Sequence, residues 1–171
     1  MIVEGGIDML DDTTKGTIKT YAIAIAIPLA VGTAATALTK NNMDIYQQLN
    51  TPPLSPPAIL FPIVWTLLYV LMGVSSALVF TKRELNPEDA KMGLTYYAFS
   101  LIFNFAWTII FFKLQASFFA LICLIVLFCL IIKTIISYFK VNRVAAYLQI
   151  PYAVWVAFAG YLNAGIWLLN Q

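Results

Sequence analysis

Five long apolar runs, separated by short polar links, set the organisation of this chain. They lie at about residues 18–38, 58–80, 92–112, 117–139 and 144–169. At about 1.5 Å per residue each is long enough, or nearly so, to cross a hydrocarbon core of about 30 Å as a helix. The links are Thr39 to Pro57, Thr81 to Lys91, Lys113 to Ala116 and Lys140 to Arg143. The pattern predicts an all-α membrane protein, a five-transmembrane-helix bundle over residues 17–171. Residues 1–16 form a polar, acidic N-terminal extension with Glu4, Asp8, Asp11 and Asp12. It lacks the positive start and small-residue cleavage site of a signal peptide. No internal repeat of the kind found in many secondary transporters is visible.

Two features break the apolar pattern. Pro28 interrupts the first run and should free the carbonyl of Ala24 and kink the helix. On the same run Ala22, Ala26, Ala30 and Ala34 recur every fourth residue, a small-residue stripe suited to close approach of another membrane helix. The second feature is the long first link. Pro52, Pro53, Pro56 and Pro57 fall within seven residues and Pro62 follows, so this stretch cannot propagate a helix. It reads as a stiff lid held over the mouth of the second span, with Trp65 about two turns inside that span.

Composition supports the membrane reading and removes several kinds of chemistry. The chain is 61% hydrophobic and 11% charged, with mean hydropathy +0.85, against about 25% charged in soluble domains. A net charge of +2 without a basic run leaves no footprint for nucleic acid. Histidine is absent, which removes the commonest metal ligand and general base; no metal site and no covalent cofactor are expected. Cys123 and Cys129, six residues apart, match no redox or zinc spacing and read as packing residues. Lys15, Lys19, Lys82, Arg83, Lys91, Lys140 and Arg143 fall on one side of a five-span topology, and Lys40 and Lys113 on the other. This asymmetry predicts a cytoplasmic N-terminus and an external proline-rich loop in a plasma membrane. Lys133, the charge inside a span, reads as snorkelling to the interface.

Placed by depth, the aromatic and amide residues gather on the loop side of the membrane. Trp65 and Tyr69 share a face of the second span, Asn104, Trp107 and Phe111 a face of the third, and Tyr152, Trp155, Ala159, Leu162 and Asn163 a face of the fifth, with Phe119 near the loop end of the fourth. Two readings fit. The residues wall a pocket for a flat, apolar, weakly polar ligand, or they only pack helices and form an interfacial belt, as Trp167 would.

At these residues the chain resembles the translocator protein family, also called tryptophan-rich sensory proteins or peripheral-type benzodiazepine receptors. The likeness rests on the loop from Tyr46 to Pro57, on Pro62-x-x-Trp65-x-x-x-Tyr69, on Asn104-x-x-Trp107 followed by Phe111-Phe112, and on Pro151-Tyr152-x-x-Trp155-x-x-Phe158-x-x-x-Leu162-Asn163. It covers all but the first span, and the bacterial members are the nearest in character. The resemblance implies a five-helix bundle, usually a homodimer, whose pocket beneath the first loop binds porphyrins such as protoporphyrin IX, and also sterols and benzodiazepine-type drugs. It places Tyr46, Pro56, Trp65, Asn104, Trp107, Trp155 and Ala159 at pocket positions. For some bacterial members it further implies light- and oxygen-dependent porphyrin breakdown, attributed to tryptophans matching Trp65 and Trp155.

The chain departs from the family at two places. Ile45, Pro53 and Leu54 stand where members carry loop tryptophans, so the lid offers less to stack on. After Asn163 no Tyr and basic residue follow, so the sterol motif of animal members is missing. Three functions follow as alternatives: a porphyrin-binding receptor or translocator, a porphyrin photo-oxidase acting through Trp65 and Trp155, and a membrane interaction protein whose aromatics only pack.

Overall fold

The structure, a computed structural model, describes the backbone of residues 2–42 and 48–171 and the side chains of residues 14–40, 42 and 48–171. Five helices are long and apolar enough to cross a membrane: α1 (Ile2–Thr39), α2 (Leu60–Thr81), α3 (Pro87–Thr108), α4 (Ser117–Val141) and α5 (Arg143–Leu169). No strand occurs among the described residues. The chain is an all-α, multi-pass integral membrane protein. The acidic extension and the first span are one helix, apolar from about Ile18 onward.

Local chemistry sets the helix ends. α3 begins ahead of its apolar run because Asn86 precedes Pro87 at the first helical position and Glu88 and Asp89 fill the first turn, each suited to the positive end of the helix dipole. Asp89 also meets Lys140 at 3.0 Å, tying the start of α3 to the end of α4. The turn from α4 into α5 needs one non-helical residue. Asn142 takes an extended conformation there, and its Oδ1 accepts from the backbone N–H groups of Val144 and Ala145.

Around the bundle the helices follow the order α1, α2, α5, α4, α3. Consecutive neighbours pack extensively, except that α3 meets α1 lightly; α2 and α3, although joined by a short turn, are not backbone neighbours and meet through side chains such as Trp65 and Trp107. Buried side chains such as Met72, Leu127, Ile131, Tyr138 and Val156 form the core. A polar clamp crosses it where Ser75 Oγ donates to the Ala145 carbonyl at 2.7 Å and Gln149 Nε2 donates to Ser75 Oγ at 3.1 Å.

Within one chain, α1 does not pack through its alanine stripe. Ala22, Ala26, Ala30 and Ala34 all face outward, and the buried positions are Pro28, Gly32, Ala35 and Thr39. The cause lies in the proline: without an N–H, Pro28 leaves the Ala24 carbonyl unbonded within the helix. Gly73 of α2 comes against that turn. A β-carbon there would lie 2.5 Å from Ile25 Cα and 2.8 Å from the Ala24 oxygen, so α2 can pass this close only with glycine at the crossing. One turn earlier in α2, the Tyr69 ring occupies the space that a side chain at Gly32 would need.

The cysteines also divide. Cys123 is buried and its thiol donates to the Phe103 carbonyl at 3.4 Å, whereas Cys129 is exposed on the outer face of α4 and packs against no core. Lys133 stays on the outside of the bundle with its Nζ 5.5 Å from the Tyr96 ring centroid.

Candidate functional site

Helical spacing brings one ring per turn of α2 to the interior, namely Phe61, Trp65 and Tyr69, at intervals of four. Opposite them stand Asn104 and Trp107 of α3 and Tyr152, Trp155, Ala159, Leu162 and Asn163 of α5. Four rings from two helices then line up. Tyr69 to Trp65 is 5.5 Å with planes 30° apart, Trp65 to Trp107 is 6.4 Å at 34°, and Trp107 to Phe111 is 5.7 Å at 27°. This near-parallel ladder runs from the bundle interior towards the loop end. Tyr152 meets Trp65 edge-on at 6.1 Å, and Phe112 meets Trp107 edge-on at 6.2 Å.

Phe111 and Phe112 owe their positions to a change of helix type. After Thr108 the chain widens into a π-helical turn, Ile109–Lys113, closed by Leu114 N–H donating to the Ile109 carbonyl at 3.0 Å. Such a turn inserts a residue into the helical register and re-aims the side chains beyond it. Gln115, at φ 54°, then turns the chain into α4.

Amides pin the ladder to α5. Trp107 Nε1 donates to Asn163 Oδ1 at 3.2 Å, and Asn163 Nδ2 donates to the Ser117 carbonyl at 2.7 Å, so one side chain joins α3, α5 and the start of α4. Deeper, Asn104 Nδ2 donates to the Tyr152 hydroxyl at 3.3 Å. In an apolar interior an unpaired amide is costly, and these two are satisfied by helix neighbours. Trp155 differs. Its ring meets Phe61 at 6.0 Å and Phe158 at 5.7 Å, but its buried Nε1–H has no acceptor among the described residues.

A small apolar cavity lies beside the ladder, lined by Phe61, Trp107, Phe111, Phe112, Ala159, Leu162, Asn163 and Ile166. Its free volume is about 20 Å³, room for about one water molecule. The rings themselves occupy the remaining space between α2, α3 and α5.

Of the residues singled out from sequence, Trp107, Phe111, Ala159, Leu162 and Asn163 line this cavity. Trp65 stands in the ladder next to them, Asn104 and Tyr152 are buried below, and Trp155 is half-buried on the Phe61 side. Pro56 is half-buried in the loop, and Tyr46 lies outside the described residues. Phe119 does not join the site; it is 64% exposed and rests on Phe118. Phe61, Phe112 and Ile166 were not anticipated. Phe61 could have been found, since it stands four residues before Trp65 and eight before Tyr69.

The loop is fastened to the last turns of α5. Asn50 and Asn170 exchange two hydrogen bonds, the Asn50 N–H to Asn170 Oδ1 at 3.0 Å and Asn170 Nδ2 to the Asn50 carbonyl at 2.9 Å. The Tyr161 hydroxyl donates to the Pro53 carbonyl at 2.9 Å, and Pro52 packs on Gly165. Within the loop Ser55 Oγ bonds the Pro52 carbonyl at 2.7 Å, around Leu54 at φ 68°.

Comparison with known proteins points to one family. The TspO/MBR family model matches residues 24–168. The tryptophan-rich protein TspO of Chlorobaculum tepidum is 35% identical over 158 residues, covering 90% of this chain and 97% of that protein. Protein CrtK of Rhodobacter capsulatus is 34% identical over 73% of this chain and 78% of its own length. The translocator protein of Bos taurus is 33% identical over 74% and 75% respectively.

Proposed function

Because the chain belongs to the TspO/MBR family, we propose that it is a membrane receptor or translocator for a flat tetrapyrrole of the protoporphyrin IX type. The ligand would enter between α2, α3 and α5 beneath the first loop. The observation that carries this reading is the near-parallel ladder Tyr69, Trp65, Trp107, Phe111 beside the cavity. Aromatic faces favour offset stacking on other flat π-systems, and the walls supply little that would suit an ion or a sugar. A macrocycle is far larger than a cavity of about 20 Å³, so binding requires the loop to lift and the rings to separate. The buried indole N–H of Trp155, without an acceptor, is available to bond a ligand polar group once the site opens.

A bacterial plasma membrane, an N-terminus on the cytoplasmic side and a homodimeric state accompany this reading. Sterols rank below tetrapyrroles, since the segment after Asn163 lacks the residues of the sterol motif. Protoporphyrin IX titrated into the purified protein should shift its absorption bands with saturation at one site per chain, and cholesterol should not displace it. A strictly linear, non-saturating response would remove the pocket.

A second reading, photo-oxidative breakdown of the bound porphyrin, draws on Trp65 in the ladder and Trp155 against Phe61. There a light-excited porphyrin sensitises oxidation by dioxygen, and an adjacent indole supplies an electron. Illumination should then consume bound protoporphyrin IX faster than free, with Trp155→Phe slowing the loss. An unchanged rate in that variant would sink the catalytic role.

A further inference from the structure

At the end of the bundle opposite the loop, the turn from α2 to α3 leaves a gap, because the backbones of these consecutive helices do not lie side by side. The gap is a cavity of about 420 Å³ lined by Phe80, Arg83, Glu84, Pro87, Lys91 and Leu94. A second cavity, of about 290 Å³, begins on the same Leu94 and continues along α3 past Thr95, Ala98, Phe99 and Ile102. Residues 91, 94, 95, 98, 99 and 102 repeat at the spacing of one helical face. The second is lined by α3 alone, with Thr95, Ala98, Phe99 and Ile102 exposed, so the two together form an open groove whose cationic head leads onto an outward apolar strip of α3. From Lys91 to Ile102 it runs about 16 Å at about 1.5 Å per residue, roughly one leaflet of a hydrocarbon core of about 30 Å.

No acidic side chain among the described residues pairs with the two cations at the head. Arg83 donates to the Phe80 carbonyl at 2.8 Å and lies 4.2 Å from the Phe80 ring centroid, so the guanidinium is held in place over an aromatic floor. Neither Arg83 nor Lys91 forms an ion pair among the described residues; an ion pair at this end joins Lys140 and Asp89. Glu84 is the acid on the groove's rim and leaves the head with a net charge of +1. Two cations, one of them fixed, above an exposed apolar strip one leaflet long match one kind of molecule in a bilayer.

We propose that this groove binds an anionic glycerophospholipid, with its phosphate between Arg83 and Lys91 and one acyl chain along Leu94, Ala98, Phe99 and Ile102. Charge complementarity selects the anionic headgroup, and Glu84 discriminates against headgroups that place extra negative charge on its side. The site is separate from the aromatic ladder, at the other end of the bundle.

Native mass spectrometry of the full chain, released from detergent with phosphatidylglycerol or phosphatidylcholine, tests this. One phosphatidylglycerol should be retained in preference to phosphatidylcholine. A basic residue at a membrane surface contributes about fivefold to anionic-lipid affinity, so Arg83→Gln and Lys91→Gln should each lower phosphatidylglycerol retention about fivefold and leave phosphatidylcholine unchanged. Lys91→Gln removes no side-chain hydrogen bond or ion pair among the described residues and keeps the test independent of folding. Ala98→Trp, which fills the tail without altering charge, should also displace the lipid, and inorganic phosphate should not compete. Equal retention of the two lipids would overturn the proposal, as would an Arg143→Gln effect as large as that of Lys91→Gln, which would mark a general surface attraction. Displacement by phosphate would mark an anion site without a chain. Loss of dimers in Ala98→Trp with lipid retention intact would assign the face to a second copy.

Discussion

Asn163 joins three helices through the two ends of one amide, accepting from the Trp107 indole and donating to the Ser117 carbonyl. Replacing it by leucine leaves the indole N–H without an acceptor in an apolar interior and removes the second bond to the Ser117 carbonyl, which keeps its place in the helical ladder of α4. Such losses cost about 1–3 kcal/mol, although bonds between membrane helices average only about 0.6 kcal/mol. Asn163→Leu should therefore lower the unfolding temperature in detergent, and Trp107→Phe should lower it less. The double variant should lose less than the two single losses added together, since they remove the same bond; strict additivity would show that the bond contributes nothing. At this scale much of the site was legible. Spacing alone put Asn104, Trp107 and Phe111 on one face of α3 and Tyr152 to Asn163 on one face of α5. What spacing could not reveal is which of them satisfy one another. That depends on the distance between helices, and the pairings Trp107–Asn163 and Asn104–Tyr152 join residues 56 and 48 positions apart.

Among the elements, α1 is where pattern reading and packing diverge. Its every-fourth alanine stripe is the more regular signal, yet the helix packs through Pro28, Gly32, Ala35 and Thr39, because the turn freed by Pro28 meets Gly73 of α2. Gly73→Leu should accordingly destabilise the bundle by more than about 2 kcal/mol through backbone collision, while Ala26→Leu on the outward stripe should change the thermal midpoint of the monomer little. The reverse order would contradict this packing. The π-helical turn after α3 was equally hidden, since a 3.6-residue pattern carries no mark of an inserted residue. It is the reason Phe112 lines the cavity beside Phe111.

The loop is a second case at this scale. Its prolines announced a stiff cover, but the groups that fasten it, Tyr161 near the end of α5 and Asn170 just beyond it, are 108 and 120 residues from their loop partners. Asn170→Ala and Tyr161→Phe each remove bonds from the closed loop without touching the ladder. They should speed release of a bound tetrapyrrole several-fold in a stopped-flow chase, with smaller effects on the rate of uptake. An unchanged release rate in both would show that the loop does not hold the ligand in.

For the whole molecule, five helices in the order α1, α2, α5, α4, α3 place the aromatic ladder at one end and the basic groove at the other. The number of spans and their membrane character followed from the apolar runs, because burial in lipid demands long uninterrupted helices. The circular order did not, since no length or charge of a link distinguishes α2 beside α5 from α2 beside α3. This arrangement lets the ladder close on itself when nothing separates its rings, and it makes the helices, more than the loop, the source of any grip on a flat ligand. Tryptophan fluorescence measured while protoporphyrin IX is titrated into wild type and Trp65→Leu tests that directly. Quenching in the wild type should saturate at one ligand per chain, and Trp65→Leu should bind about tenfold more weakly or worse, a loss of about 1.4 kcal/mol. Equal affinity in the two proteins, or quenching that never saturates, would contradict the account.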